Sequence, residues 1–249
     1  MKWIKWIFPI VLVIFYSCKK ESQELRTERI VDYYPLQVGK YTVFRLDSTV
    51  YTNLGTKKEV RTYFIQDRID SLITDNLGRP SYKIKRLVRS KIDTTRWLDL
   101  TSFLVTYDST KQRLELIQDN QRYIRLLEPI KNGFGWNAHT FINTLGLPEI
   151  QYLQDWNYVY EQVRKSITVN NIVFKETFTV NQRNDTLGSP SNKNFYFEIN
   201  YGKEVFAKSK GLVFKEFLHE AWQPPNGSSN SGYYESNSYG IKLTYLSGN

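Results

Sequence analysis

Cysteine is almost missing from this chain: of its 249 residues, Cys18 is the single thiol. No intrachain disulfide can form, so a body of this size must be held together by buried surface. Histidine is nearly as scarce. His139 and His219 stand far apart with no cysteine beside either, so the ligand spacing of a zinc site is lacking and no metal or other cofactor is expected. The chain has no Gly-x-Ser-x-Gly elbow and no phosphate-cradling glycine loop, and Gly133-Phe134-Gly135 reads as a turn. Long capped helical periods are missing too, which excludes an all-α body. His219 and Glu220 form an adjacent acid/base pair beside Trp222, but neighbours on a strand point to opposite faces, so no catalytic dyad follows. A carboxylate pair for glycoside hydrolysis would be assembled by the fold and leaves no spacing to read.

What is present begins with Lys2 and Lys5, followed by an apolar run from Trp6 to Tyr16 and then Ser17-Cys18-Lys19-Lys20. Cations, apolar stretch and small residue in that order are the order of a signal peptide. Eleven residues of helix reach only about 16 Å, roughly half the hydrocarbon thickness of a bilayer, so a permanent span is a poor reading beside a cleaved leader. Phe15-Tyr16-Ser17-Cys18 resembles a lipobox, in which the cysteine receives diacylglycerol and becomes the new N-terminus. The expected organisation is a leader over residues 1–17, a lipidated tether over 18–31, and a body over 32–249. Two or three acyl chains, each methylene worth about 0.8 kcal/mol, anchor a protein stably where one does not. Loss of Lys2 and Lys5 takes the 34 basic residues to 32 against 25 acidic ones, leaving a mature charge of +7. Export argues against nucleic acid as a partner of that charge. Its dispersal, as in Lys83, Lys85, Arg89 and Lys91 opposite Tyr82, Ile84 and Val88, reads as a solvated strand face.

The body has a period of two. Runs such as Tyr41 to Tyr51, Ser81 to Lys91, Phe103 to Tyr107, Gln121 to Leu127 and Phe174 to Val180 alternate β-branched or aromatic with polar residues, between turn residues such as Asn53-Leu54-Gly55 and Asn170-Asn171. They predict a mainly β fold, antiparallel sheets forming a curved sandwich or partly open barrel, with one or two short helices at most. Phe195 to Lys208 is the best helical candidate, and Gln223 to Gly240, rich in Pro, Gly, Ser and Asn, predicts a long loop. Pro35-Leu36-Gln37-Val38-Gly39 is echoed by Pro129-Ile130-Lys131-Asn132-Gly133. Both predict a turn into a strand, and two such entries suggest half-sheets at 32–128 and 129–249.

Three stretches together resemble a group of Bacteroidota lipoproteins: Asp32 to Tyr41, Gly135-Trp136-Asn137, and Val205 to Glu216 leading to Gly240 to Thr244. The resemblance implies an antiparallel β fold on the outer membrane, at its periplasmic face or the cell surface. It brings no catalytic residues. Asp-Ser/Thr motifs similar to the O-glycosylation sites of that phylum place candidate acceptors at Ser48, Ser71, Thr94, Ser109 and Thr186. The expected role is binding or structural in the envelope, with a lipid, glycan or envelope protein as ligand, and a glycan-active enzyme as the alternative.

Overall fold

The computed structural model describes residues 27–90, 92, 96–227 and 231–249. Cys18, the expected leader, most of the expected tether and Thr94 lie outside the described residues. Strands β1 (Tyr41–Thr52), β2 (Lys57–Thr74), β3 (Pro80–Ser90), β4 (Leu98–Asp108), β5 (Arg113–Gln118) and β6 (Gln121–Leu127) lie side by side in chain order. Next come β7 (Gly135–Asn137), β8 (Asn157–Val169), β9 (Ile172–Leu187), β10 (Phe197–Ala207), β11 (Gly211–Gln223), β12 (Tyr233–Tyr234) and β13 (Tyr239–Gly248). One antiparallel sheet runs β6-β5-β4-β3-β2-β1-β13-β11-β10-β9-β8-β7, with β12 added beside β11. Residues 41–127 thus make one contiguous half and residues 135–248 the other, joined where β1 pairs β13.

The mainly β, antiparallel architecture expected from the alternation is the one observed, and it takes the barrel form. The sheet curls until its outer strands meet. Ile124 N donates to Ala138 O at 2.9 Å and Trp136 Nε1 to Ile124 O at 2.8 Å, which ties β6 to the strand at the opposite edge. Curling of this kind satisfies edge groups that would otherwise invite aggregation. One expectation fails: Phe195 to Lys208 is not helical but forms β10. Its inward positions include the polar Asn200 and Glu204, and bulges at Gly202/Lys203 and Val205/Phe206 shift the phase. Those features hid a period of two from a reading based on apolar alternation. The predicted loop from Gln223 also contains β12, which returns to pair Tyr234 with Trp222 and lays its backbone across Gly55.

About eight strands make a barrel that side chains fill; twelve make a wider one. The excess width here is filled from both ends. At the end where β1 begins and β13 finishes, helix α1 (Ile30–Tyr33) enters the barrel, with Ile30 and Tyr33 fully buried. Tyr33 packs on Phe178 at 4.7 Å and donates its hydroxyl to Glu28 at 3.0 Å. Buried Glu28 also pairs with Arg164 at 2.6 Å and Lys208 at 3.4 Å, while Glu128 accepts from Ile30 N at 2.8 Å. Packing therefore begins by Glu28, earlier than composition indicates. Gly39 and Gly133, the glycines of the repeated turn, both have positive φ (+92° and +79°) at this end, which explains the echo as one turn chemistry used twice.

The other end is covered by residues 138–156, including 3₁₀ turns at Thr144–Gly146 and Pro148–Leu153. Tyr152 lies flat on His219, with ring centroids 3.8 Å apart and planes 9° apart, and its hydroxyl meets that of Tyr239 at 3.1 Å. Trp156, almost fully buried, packs beside it on Phe217.

Candidate functional site

Between plug and cover remains a cavity of about 210 Å³ inside the barrel. At roughly 10–15 Å³ per water in this measure, it holds on the order of fifteen water-sized groups. Its walls are aromatic and aliphatic: Phe103, Leu116, Tyr158, Phe217, Ile241 and Leu243 come from inward positions of five strands. Gln118, Asp119, Tyr123 and Tyr239 lie toward the covered end, where the β5–β6 turn exposes Asp119 to solvent. The opening is therefore at the end opposite the one where the N-terminal segment enters.

Charge is concentrated toward the plug. Arg86 of β3 faces its cross-strand neighbour Asp67 of β2 and grips it with two bonds of 2.7 Å. Glu204 of β10 faces Lys215 of β11, which approaches to 3.2 Å. Arg125 of β6 reaches across the lumen and holds both oxygens of Glu204, at 3.2 and 3.0 Å. Its guanidinium lies 5.8 Å from the Tyr34 ring and 5.5 Å from that of Phe206, so the layer rests on the plug. Burial raises the Glu204 carboxyl, but Arg125 and Lys215 together outweigh it and hold the group below the usual carboxylate range. Burial draws the Lys215 ammonium below the ordinary lysine value, with Glu204 opposing.

His139, 6% exposed, lines the cavity from the covering segment. Its Nδ1 has no hydrogen-bond partner, and neither does Nε2 of buried His219. Burial depresses the His139 imidazole to about 4 and lowers His219 as well, the latter opposed by Glu198, Glu235 and Asn237. An unfolded histidine titrates near 6.5, so between that pH and about 4 the unfolded chain binds a proton that folded His139 refuses. Stability present at neutral pH is consequently lost on acidification through this window. Unfolding in urea at pH 7 and pH 5 should show a loss of about 2 kcal/mol from His139 alone, and His139→Phe should remove that part of the difference. A wild type equally stable at both values would contradict the burial of a neutral ring.

Sequence reasoning passed over Arg86, Arg125, Glu204 and Lys215. Part of the signal was there: Tyr82-Ile84-Arg86-Val88 and Val213-Lys215-Phe217 are inward series broken by one charge, whereas after Tyr123 and Arg125 a bulge turns Leu126 inward and interrupts the period. His219 and Glu220 do point to opposite faces, as the pleat requires. His219 Nδ1 donates to Asn200 Oδ1 (2.8 Å) on the inner side, whereas Glu220 accepts from the Tyr51 hydroxyl at 2.6 Å on the outer side.

The candidate glycosylation residues are dispersed. Ser109 is exposed in the β4–β5 turn, where Asp108 accepts from Lys111 N at 3.1 Å, and Thr186 is exposed near the end of β9. Ser48 and Ser71 lie within paired strands β1 and β2; Ser48 pairs with Ile241 and shares its lumen-facing side. No protein-family model matches the chain, and no curated protein matches it.

Proposed function

We propose that this chain is a lipid-anchored envelope protein of the Bacteroidota type, whose barrel binds a small, mainly apolar ligand in its lumen. The observation that carries this reading is the cavity itself: aromatic-walled, closed at one end by the N-terminal segment, and bordered by the buried His139 ring. Concave sites with apolar walls and a few fixed polar groups are the usual form of small-molecule sites. Diacylglycerol on Cys18 would attach the chain at the plugged end of the barrel, leaving the opening at the far end. A ligand would then be exchanged with a partner or the aqueous phase rather than drawn directly from the anchoring leaflet.

Catalysis on glycans is the weaker reading. A glycosidase keeps one of two carboxyl groups protonated as the acid, whereas Asp67 and Glu204 are each gripped by an arginine and Glu204 is held toward its charged form.

The lumen reading is tested with an apolar naphthalene fluorophore and the lipoprotein in lipid nanodiscs. Wild type should take up the probe with a blue shift beyond that of empty discs. Leu116→Trp, which places an indole in the cavity, should abolish the excess. Equal uptake by both proteins would place the probe elsewhere and remove the reading. For the anchor, Cys18→Ser should lose acylation by mass spectrometry and leave the membrane fraction; a variant still fractionating at native size would count against lipidation.

A further inference from the structure

Three cations and two carboxylates meet at the plugged end of the lumen. Arg86 and Asp67 satisfy one another through two short bonds. Arg125 and Glu204 do the same, since both carboxylate oxygens are already taken by the guanidinium. Lys215 is the surplus. Its ion partner is Glu204, shared with Arg125, and an ammonium carries three donors. Although Lys215 lies deep within the barrel, 28% of its side-chain surface is accessible, against 2% for Glu204, and the cavity is where that free surface faces. Asp119, the remaining acid along the cavity, is exposed at the rim, where water screens it.

A buried cation without its own counter-charge is costly, and the usual remedies are neutralisation or an anion brought to it. The lumen supplies room for the second. From Lys215 the cavity runs past Phe217, Leu243 and Tyr158 toward Tyr123 and Tyr239, so charge at one end passes into aromatic surface and a polar rim. His139 borders the cavity on the cover side. We propose that the lumen ligand is an amphipathic monoanion, a carboxylate with an apolar body of about ten to twelve carbons, whose head group is received by Lys215 beside Arg125. This inference rests on the lumen-binding reading and names the chemistry of its ligand. A single negative charge matches the single surplus positive one. A phosphate monoester, carrying about −1.5 to −2 at neutral pH, would leave the lumen net negative and so fits less well. The length follows from the cavity: decanoate has twelve heavy atoms, within the roughly fifteen water-sized groups that fit.

The test uses the full lipoprotein in nanodiscs, with decanoate labelled with carbon-13 at the carboxyl and, in parallel, labelled decanol. Wild type should give a bound carboxylate resonance distinct from that in empty discs, and should bind decanoate about 10- to 100-fold more tightly than decanol. Lys215→Met leaves Arg125 paired with Glu204 and Arg86 with Asp67, so folding is maintained, as an unchanged circular dichroism spectrum would confirm. Decanoate affinity should fall by that same factor in Lys215→Met and return in Lys215→Arg, while decanol binding stays constant. Equal binding of acid and alcohol by wild type, insensitive to Lys215→Met, would overturn the anion proposal and leave the lumen reading standing. If neither compound binds wild type above empty discs, both readings fall together.

Discussion

Glu204→Gln should destabilise the barrel by about 3–5 kcal/mol, the range found when one partner of a buried ion pair is removed. Glutamine keeps the shape of the side chain, so the loss would be electrostatic in origin. Arg125 and Lys215 now converge on Glu204 at 3.0 and 3.2 Å, and without its charge they would face one another inside the barrel. The same logic gives the sign of a double variant. Removing the lysine as well leaves Arg125 alone opposite glutamine, so Glu204→Gln/Lys215→Met should recover part of the loss, with a coupling of about 0.5–3 kcal/mol. Urea unfolding of the two single variants and the double, followed by tryptophan fluorescence, measures it. Strict additivity would mean that the three groups do not share one electrostatic site.

A loss of similar size is expected at the plug. Tyr33 is fully buried, with its ring against Phe178 at 4.7 Å and its hydroxyl on Glu28 at 3.0 Å. Tyr33→Ala should cost about 3–5 kcal/mol by analogy with other large-to-small aromatic changes. Tyr33→Phe removes only the bond to a charged acceptor and should cost about 1.5–3 kcal/mol. The two variants also separate packing from sealing. Alanine opens a passage below Arg125, so hydrogen exchange at α1 and at the facing amides of β9 and β10 should accelerate; phenylalanine should leave those rates near wild type. If alanine accelerates exchange nowhere in this region, α1 is not what closes that end of the barrel.

Much of this architecture was legible before any coordinates. Alternation in Tyr41 to Tyr51 and Gln121 to Leu127 placed strands, and Asn53-Leu54-Gly55 and Asn170-Asn171 placed turns, because both signals are local and come from the pleat and from positive φ. The misassigned segment is also instructive. Around Glu204 the inner face is polar, since it belongs to the charged layer of the lumen, and two bulges break the phase. The feature that makes β10 part of the candidate site is thus the one that disguised it as a helix. Closure was not legible either: Trp136 meets Ile124 from the far edge of the sheet, a contact set by the curl of twelve strands and by no spacing within the chain. Nor could the role of Ile30 and Tyr33 be read from the charged stretch after Cys18, because their apolar partner, Phe178, lies far along the sequence.

Native mass spectrometry of the protein isolated from the cells that make it decides whether the lumen is a binding site. A noncovalent companion of about fifteen heavy atoms, on the order of 200 Da, should accompany wild type and be missing from Leu116→Trp. A wild type that carries no companion and cannot be loaded with decanoate or decanol would contradict it.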